Sequence, residues 1–169
     1  MYMNTWLEIL RKNDFIGAKR YIKDDADLND ETESGESVLA TAIRHHCDDE
    51  LITLLIDNGA DIYDFDDEGV SIFDMAITYD NVFLVKYIID KGIDVNKTQR
   101  RSGFTPLMCA SCYGRAEIAK LLLDNGATKD LVDSKGFNAT DFARKMNKKS
   151  VLVLLDFDKD APQNKTHIR

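Results

Sequence analysis

The sequence is poor in the residues that break or cross-link a chain. Its 169 residues include two prolines and three cysteines. Two prolines leave little room for extended linkers, and a small, odd number of cysteines favours a reducing compartment over secretion. No apolar run approaches the roughly 20 residues that cross a bilayer, and the first eight residues do not resemble a secretory leader. We therefore expect one soluble, cytoplasmic domain that has no membrane contact.

Motifs of catalysis are lacking as well. The sequence contains no Gly-x-Ser-x-Gly elbow, no glycine-rich phosphate loop and no His-Glu-x-x-His zinc motif. These absences predict a protein that is not an enzyme and that holds neither a cofactor nor a metal ion.

Charge is divided unevenly along the chain. The 30 acidic and 22 basic residues give a net charge of −8, with 20 of the acids and 6 of the bases in residues 1–80. An acidic protein is a poor ligand for phosphate backbones, so nucleic acid is not the expected partner. A nucleic-acid role would have to depend on the basic residues of the second half, namely Arg100, Arg101, Lys145, Lys148 and Lys149.

Two series of glycines recur at steps of 33 or 34 residues. One series is Gly35, Gly69, Gly103 and Gly136, and the other is Gly59, Gly92 and Gly126. Each glycine of the second series follows an apolar run, as expected of a left-handed residue that ends a helix. Two residues after each glycine of the first series stands a residue typical of helix N-caps: Ser37, Ser71, Thr105 and Asn138.

Each repeat therefore predicts a turn, a short helix, a tight bend, a longer helix and a glycine stop. Pro106 occupies the first helical position, where its missing N–H is harmless. The longer helices are apolar almost all round, so each must lie between neighbours. The run 151–155 could be a strand by periodicity alone. Its register matches the longer helices, so we predict a helix that is partly exposed at the end of the stack.

Residues 103–110 and their continuation through 117–127 resemble an ankyrin repeat, in the Thr-Pro-Leu motif as well as in the period. The resemblance implies an all-α ankyrin-repeat solenoid of helix-turn-helix units with short β-hairpin-like tips. It places one domain over residues 1–158, with capping repeats at both ends and a polar, flexible tail at 159–169. The expected units are 1–34, 35–68, 69–102, 103–135 and 136–158.

Some positions depart from the family pattern. The family's histidine slot holds Ala40, Asp74, Met108 and Asp141. The second unit carries one extra residue between its helices, near 45–49, and the loop 97–102 is also one residue longer than its counterparts. Asp25 stands where a glycine stop is expected, and aspartate tolerates left-handed geometry better than most residues.

Two clusters of metal-binding or redox residue types have simpler explanations. His45, His46 and Cys47 are adjacent, so their side chains point apart on a helix end, and no second cluster is spaced to complete a site. Cys109 and Cys112 have the spacing of a C-x-x-C motif. Redox-active pairs of this kind follow a strand, however, and no strand is expected before these two cysteines. We expect a buried Cys109 and a Cys112 on the surface. The acids 66–68 fall at a predicted tip, without the spacing of a calcium loop.

The resemblance also implies a binding surface, because ankyrin stacks bind partners through a concave face formed by the tips and the short helices. Aromatic and arginine side chains, which predominate at binding hot spots, are frequent in the matching positions. The predicted partner-binding residues are Asp67, Glu68, Tyr79, Arg100, Arg101, Phe104, Cys112, Tyr113, Lys135, Phe137 and Lys145. A simpler reading of Phe104 and Phe137 is that each covers its neighbouring repeat.

The favoured function is a non-enzymatic protein–protein interaction module, whether adaptor, inhibitor or accessory factor, that is monomeric on its own and binds an unidentified protein partner. The alternative is a metal or small-molecule accessory protein that supports another enzyme. That alternative would centre on His45, His46 and the acidic tips.

Overall fold

The structure is a computed structural model that describes residues 2–33 and 35–156. Within these residues the chain forms ten α-helices and no strand longer than an isolated bridge. The helices are α1 (Tyr2–Arg11), α2 (Phe15–Lys23), α3 (Val38–Arg44), α4 (Asp49–Asp57), α5 (Ile72–Thr78), α6 (Val82–Asp90), α7 (Pro106–Tyr113), α8 (Ala116–Asp124), α9 (Ala139–Lys145) and α10 (Lys149–Leu155). The all-α prediction is confirmed. The predicted flexible tail, 159–169, lies outside the described residues.

The odd-numbered helices from α3 onward begin at the predicted N-caps. Ser37, Ser71, Thr105 and Asn138 each accept a hydrogen bond from the backbone N–H three residues later. Two of the unusual residues in the histidine slot complete this cap: the Asp74 and Asp141 carboxylates accept from the backbone N–H of their cap residues. The substitutions therefore preserve the helix starts.

The tight bend inside each helix pair has a left-handed residue of its own. These residues recur at the repeat spacing with φ between 49° and 71°: Asn13, His46, Asp80, Gly114 and Asn147. The extra residue of the second unit is Cys47, which follows the bend and donates its thiol hydrogen to the Leu10 carbonyl at 3.2 Å. The insertion is thus absorbed in the core and leaves the repeat spacing of the helices intact.

The stops after the even-numbered helices also follow the prediction. Gly59, Gly92 and Gly126 have φ values of 107°, 85° and 92°. Asp25 occupies the same position after α2 with φ 60°. A side-chain oxygen accepts a hydrogen bond from the backbone in the loop that follows each stop. Isolated antiparallel bridges close two of the tips, Glu31 with Ser37 and Phe65 with Ser71.

The helices stack in two layers. In one layer α1, α3, α5, α7 and α9 pack successively against one another; in the other, α2 packs on α4, and α8 on both α6 and α10. One continuous apolar core runs between the layers from Trp6 to Leu155. The run 151–155 is helical, as predicted, and Val153 on it is 70% exposed. Among the described residues, no helix has the length and apolarity that crossing a bilayer requires.

Gly69 is the glycine at which the stacking of two units depends most on the missing side chain. Its φ is +79°, and an added Cβ would lie 2.3 Å from the Gln99 carbonyl oxygen of the next loop. Gly136 has a similar φ of +82° in the corresponding position but nothing within 4 Å.

We predict that Gly69→Ala lowers the free energy of unfolding by about 3 kcal/mol or more, because it adds a backbone clash to the left-handed strain. Gly136→Ala is the matched control and is expected to cost about 1 kcal/mol, from the strain alone. Urea unfolding followed by circular dichroism measures both. Equal losses in the two variants would show that the loops move apart at no cost.

Candidate functional site

The predicted binding residues lie on one face of the protein. We call it the groove face; it consists of α3, α5, α7 and α9 together with the loops that precede them. The loops contribute Asp67, Glu68, Arg100, Arg101, Phe104, Lys135 and Phe137, and the C-terminal ends of the helices contribute Tyr79, Cys112, Tyr113 and Lys145. The face therefore carries two rows of candidate side chains, one along the tips and one along the helix ends.

Four of these residues meet in a cleft between two neighbouring tips. The cleft has a volume of about 360 Å³, and its lining consists of Asp67, Glu68, Val70, Arg100, Arg101 and Ser102. Both signs of charge face it, so it offers partners for polar groups of either charge. Asp67, Glu68, Arg100 and Arg101, four of the predicted binding residues, therefore share one cleft.

Arg100 is already engaged inside the protein. Its Nε donates to Asp74 Oδ2 at 3.3 Å, and its guanidinium lies 4.9 Å from the centroid of the Phe104 ring. The Asp74 side chain is only 3% exposed, so Arg100 compensates a carboxylate that has left water. Arg101 is exposed and takes part in no ion pair among the described residues. Of the two arginines, Arg101 is the one free to meet a partner.

The predicted aromatic residues also divide into those that pack inside the protein and those that are accessible. Phe104 is half-buried and packs edge-on against Phe142 of the next unit at 5.0 Å between ring centroids, which is the covering role considered above. Tyr79 is half-buried and packs against His46 at 5.7 Å. Tyr113 and Phe137 remain 47% and 44% exposed. These two rings therefore offer the accessible aromatic surface of the predicted set.

The basic residues do not form one cluster. Lys135 and Lys145 are exposed, and within the described residues neither takes part in an ion pair. Lys149 is the first residue of α10, in the other helix layer, and Lys148 lies against Gly114. The five basic residues that a nucleic-acid role would need are thus divided between the two layers, and Arg100 among them is paired internally.

A second groove was missed by the sequence analysis. We call it the α3–α5 groove; it has a volume of about 440 Å³ and lies between α3, α5 and the loops before them. Its lining consists of Gly35, Glu36, Ser37, Ala40, Arg44, Asp64, Phe65, Asp66, Glu68, Val70, Ile72 and Met75. Phe65 is 51% exposed although it stands between two aspartates. An apolar ring inside an acidic tip was the signal in the sequence that could have revealed it.

Arg44 and Glu36 form an ion pair within this groove. Arg44 Nε donates to Glu36 Oε1 at 2.8 Å, and a second guanidinium nitrogen bonds to the other oxygen. The hydrogen bond to the carboxylate raises the pKa of Arg44 above its usual range. The pair thus fixes a guanidinium in the lining of the groove.

The cysteines are placed as predicted. Cys109 is fully buried in α7, and its sulfur lies 3.4 Å from the Thr78 hydroxyl. Burial raises the pKa of the Cys109 thiol to about 12 and that of the Cys47 thiol to about 11. Cys112 is partly exposed on the groove face, and all three thiols are free.

The adjacent histidines are not brought to one point. His46 packs on Tyr79, Cys47 is buried against Leu10, and burial together with the neighbouring Arg44 lowers the pKa of His45. In the part of the chain that the structure describes, no three His, Cys, Asp or Glu side chains are grouped so that they could hold a metal ion.

Comparisons with known proteins agree with the helical pairs. Residues 73–123 match the family model described as ankyrin repeats (many copies). The chain is 38% identical over 106 residues to the E3 ubiquitin-protein ligase hecd-1 of Caenorhabditis elegans, a match that covers 63% of this chain and 4% of that protein. It is 40% identical over 86 residues to the putative ankyrin repeat protein R664 of Acanthamoeba polyphaga mimivirus, covering 50% of this chain and 52% of that one. The chain thus spans about half or less of the length of these relatives.

The Arg100–Asp74 pair generates a stability prediction. Arg100→Met keeps much of the stem that packs on Phe104 but leaves the Asp74 carboxylate buried without its cation. We expect a loss of about 2–4 kcal/mol in the free energy of unfolding. Arg101→Met is the matched control at the adjacent exposed position and is expected to change stability by less than about 0.5 kcal/mol. Denaturant unfolding of both variants measures this difference, and equal stabilities would contradict a structural role for Arg100.

The thiols generate a second prediction. At pH 8 the raised pKa values leave Cys47 and Cys109 almost entirely protonated, and burial shields both from reagents. We therefore expect one fast thiol in the native protein, at Cys112, alkylated at least about tenfold faster than the other two. Iodoacetamide labelling followed by peptide mass spectrometry identifies the site. Cys112→Ser should remove the fast phase, and fast labelling that persists in this variant would contradict the burial of the other thiols.

Proposed function

Because the chain is an ankyrin repeat protein, we propose that it is a non-enzymatic binding module that holds one protein partner through its groove face. On this proposal the groove face is the concave side of the stack, and the protein acts as an adaptor, inhibitor or accessory factor. The observation that carries the proposal is the exposure of Tyr113 and Phe137 on the same face as the unpaired Arg101.

These side chains are the types that dominate binding hot spots. Tyrosine and arginine supply large contact areas and directional hydrogen bonds. They lose little conformational freedom on binding when the part of the side chain nearest the backbone is already fixed by packing. Tyr113 and Phe137 project from elements held by the continuous core, so binding would require little rearrangement. The unequal charge of the two halves would orient the approaching partner and speed its encounter.

The ligase named among the relatives does not extend the proposal to catalysis. This chain matches 4% of that protein, so its named activity belongs to a much longer molecule. With three free thiols, the binding module is proposed to work in the reducing cytoplasm, as a monomer until it meets its partner.

The proposal is tested with the double variant Tyr113→Ala, Arg101→Glu. It removes the exposed ring and reverses the free charge without touching the core. Affinity capture from lysate of the source cell, read by mass spectrometry, identifies the partner, and calorimetry with the purified partner measures the affinity. We expect the double variant to weaken binding at least about 100-fold, since hot-spot side chains contribute about 2 kcal/mol or more each.

The control is the double variant Phe83→Ala, Lys86→Glu. It removes an exposed ring and reverses an exposed charge on α6, outside the helices and loops that form the grooves. We expect this variant to bind like the unaltered protein. A partner that tolerates the Tyr113/Arg101 change but is lost on the Phe83/Lys86 change would place the interface elsewhere and refute the assignment of the groove face.

A further inference from the structure

The α3–α5 groove lies on the groove face beside the cleft between the two tips, with which it shares Glu68 and Val70. Its volume of about 440 Å³ falls within the roughly 300–1,000 Å³ of ligand pockets. Its accessible apolar surface comes from the half-buried Met75 of α5 and from Phe65, whose ring is 51% exposed; Ala40 and Ile72 also line it but are buried. The groove is therefore suited to a few side chains of an extended segment.

The charge of the lining is negative and mostly uncompensated. Glu36 is satisfied by Arg44 and also accepts from the Thr41 hydroxyl at 3.4 Å. Three more carboxylates, those of Asp64, Asp66 and Glu68, line the groove, and none of them is in an ion pair with another described residue.

The tip carboxylates are held in place by the backbone. Asp66 Oδ1 accepts hydrogen bonds from the backbone N–H groups of Glu68 and Val70, both at 2.9 Å, and Asp64 Oδ1 accepts from the N–H of Phe65 at 2.9 Å. Each aspartate uses one oxygen for the loop, and its second oxygen accepts no hydrogen bond from another residue that the structure describes. The groove thus presents fixed acceptors beside an apolar surface.

We propose that the α3–α5 groove binds a basic, extended segment of the protein partner. An arginine or lysine of that segment lies among Asp64, Asp66 and Glu68, and an adjacent apolar side chain packs on Phe65 and Met75. The inference rests on the proposed function, since it names the chemistry of the partner on the same face. A rim of acids alone would be merely solvated; the cavity and the exposed ring make the groove a docking site.

Charge complementarity selects this occupant over others. The carboxylates repel nucleic acid and acidic segments, whereas a cation among them gains from three charges at once. The Arg44–Glu36 pair is an internal example of a guanidinium bound by a carboxylate of this lining. Because the three carboxylates are partly solvated, we expect the attraction to weaken as salt is raised.

The direct test uses a fluorescein-labelled ten-residue peptide that alternates arginine and leucine, with a second peptide in which glutamate replaces arginine. Fluorescence anisotropy measures binding to the full chain. We expect saturable binding of the arginine peptide only. Glu68→Lys and Phe65→Ala are each expected to weaken it about tenfold, and Glu68→Gln less, because the neutral side chain removes a charge without reversing it.

Asp90→Lys is the matched control, because it makes the same charge change on an exposed residue at the end of α6, outside the groove lining. It should weaken binding less than twofold. Four results would overturn the proposal: no saturable binding below about 1 mM peptide, equal losses in Glu68→Lys and Asp90→Lys, preference for the glutamate peptide, or a dimer in sedimentation that Glu68→Lys dissolves. The last would make a second copy of this chain the occupant.

The natural partner separates this proposal from the function on which it rests. Partner binding that is lost in the Tyr113/Arg101 variant but unchanged in Phe65→Ala and Glu68→Lys would refute the groove assignment and leave the binding face intact. Partner binding unchanged in all of these variants would refute the face itself. Losses in both sets, with circular dichroism and unfolding midpoints unchanged, would support both proposals.

Discussion

The structure depends on one constraint: no helix pair can bury its own apolar surface. Helices such as α6 (Val82–Asp90) and α8 (Ala116–Asp124) are too apolar to expose more than one side, so each pair must be covered by the next. Covering requires that the pairs repeat at constant spacing, and the spacing is kept by the bends and stops in left-handed geometry. The single core from Trp6 to Leu155 is the result. Stability then accumulates from neighbouring units, as is usual in repeat proteins.

The same constraint leaves the tips free to vary. Because the helices supply most of the core, a tip needs only a few local hydrogen bonds, and Asp66 and Asp133 each accept two from the following backbone. Such fixed loops can carry an exposed ring at little cost to stability, as Phe65 and Phe137 illustrate. Exposed apolar surface is therefore tolerated where the stack is least constrained.

Much of the fold followed from spacing, since cap residues and glycine stops act locally and leave a direct trace in the sequence. The left-handed bends were harder to predict, because no single residue type marks them: asparagine, aspartate, histidine and glycine all adopt that geometry here. The positions of the candidate residues on the helices and loops followed from the sequence. Which of their side chains are exposed and unpaired did not. Arg100 and Arg101 are equivalent in sequence terms, and only tertiary contacts show that one is paired with the buried Asp74. The α3–α5 groove escaped prediction because its opening depends on how the side chains of two units pack, which the spacing of the repeats does not specify.

The different roles of Arg100 and Arg101 also explain how one face carries opposite charges without weakening the fold. Asp74 fills a histidine slot, and its charge would destabilise the core if Arg100 of the next loop did not compensate it. Buried charge is thus neutralised across a unit boundary, whereas the charges that remain, Glu68 toward one end and Arg101, Lys135 and Lys145 toward the other, are exposed. Under the proposed function, a partner would meet a change from negative to positive charge along this face. Such a change would favour one direction for a bound segment whose own ends differ in charge.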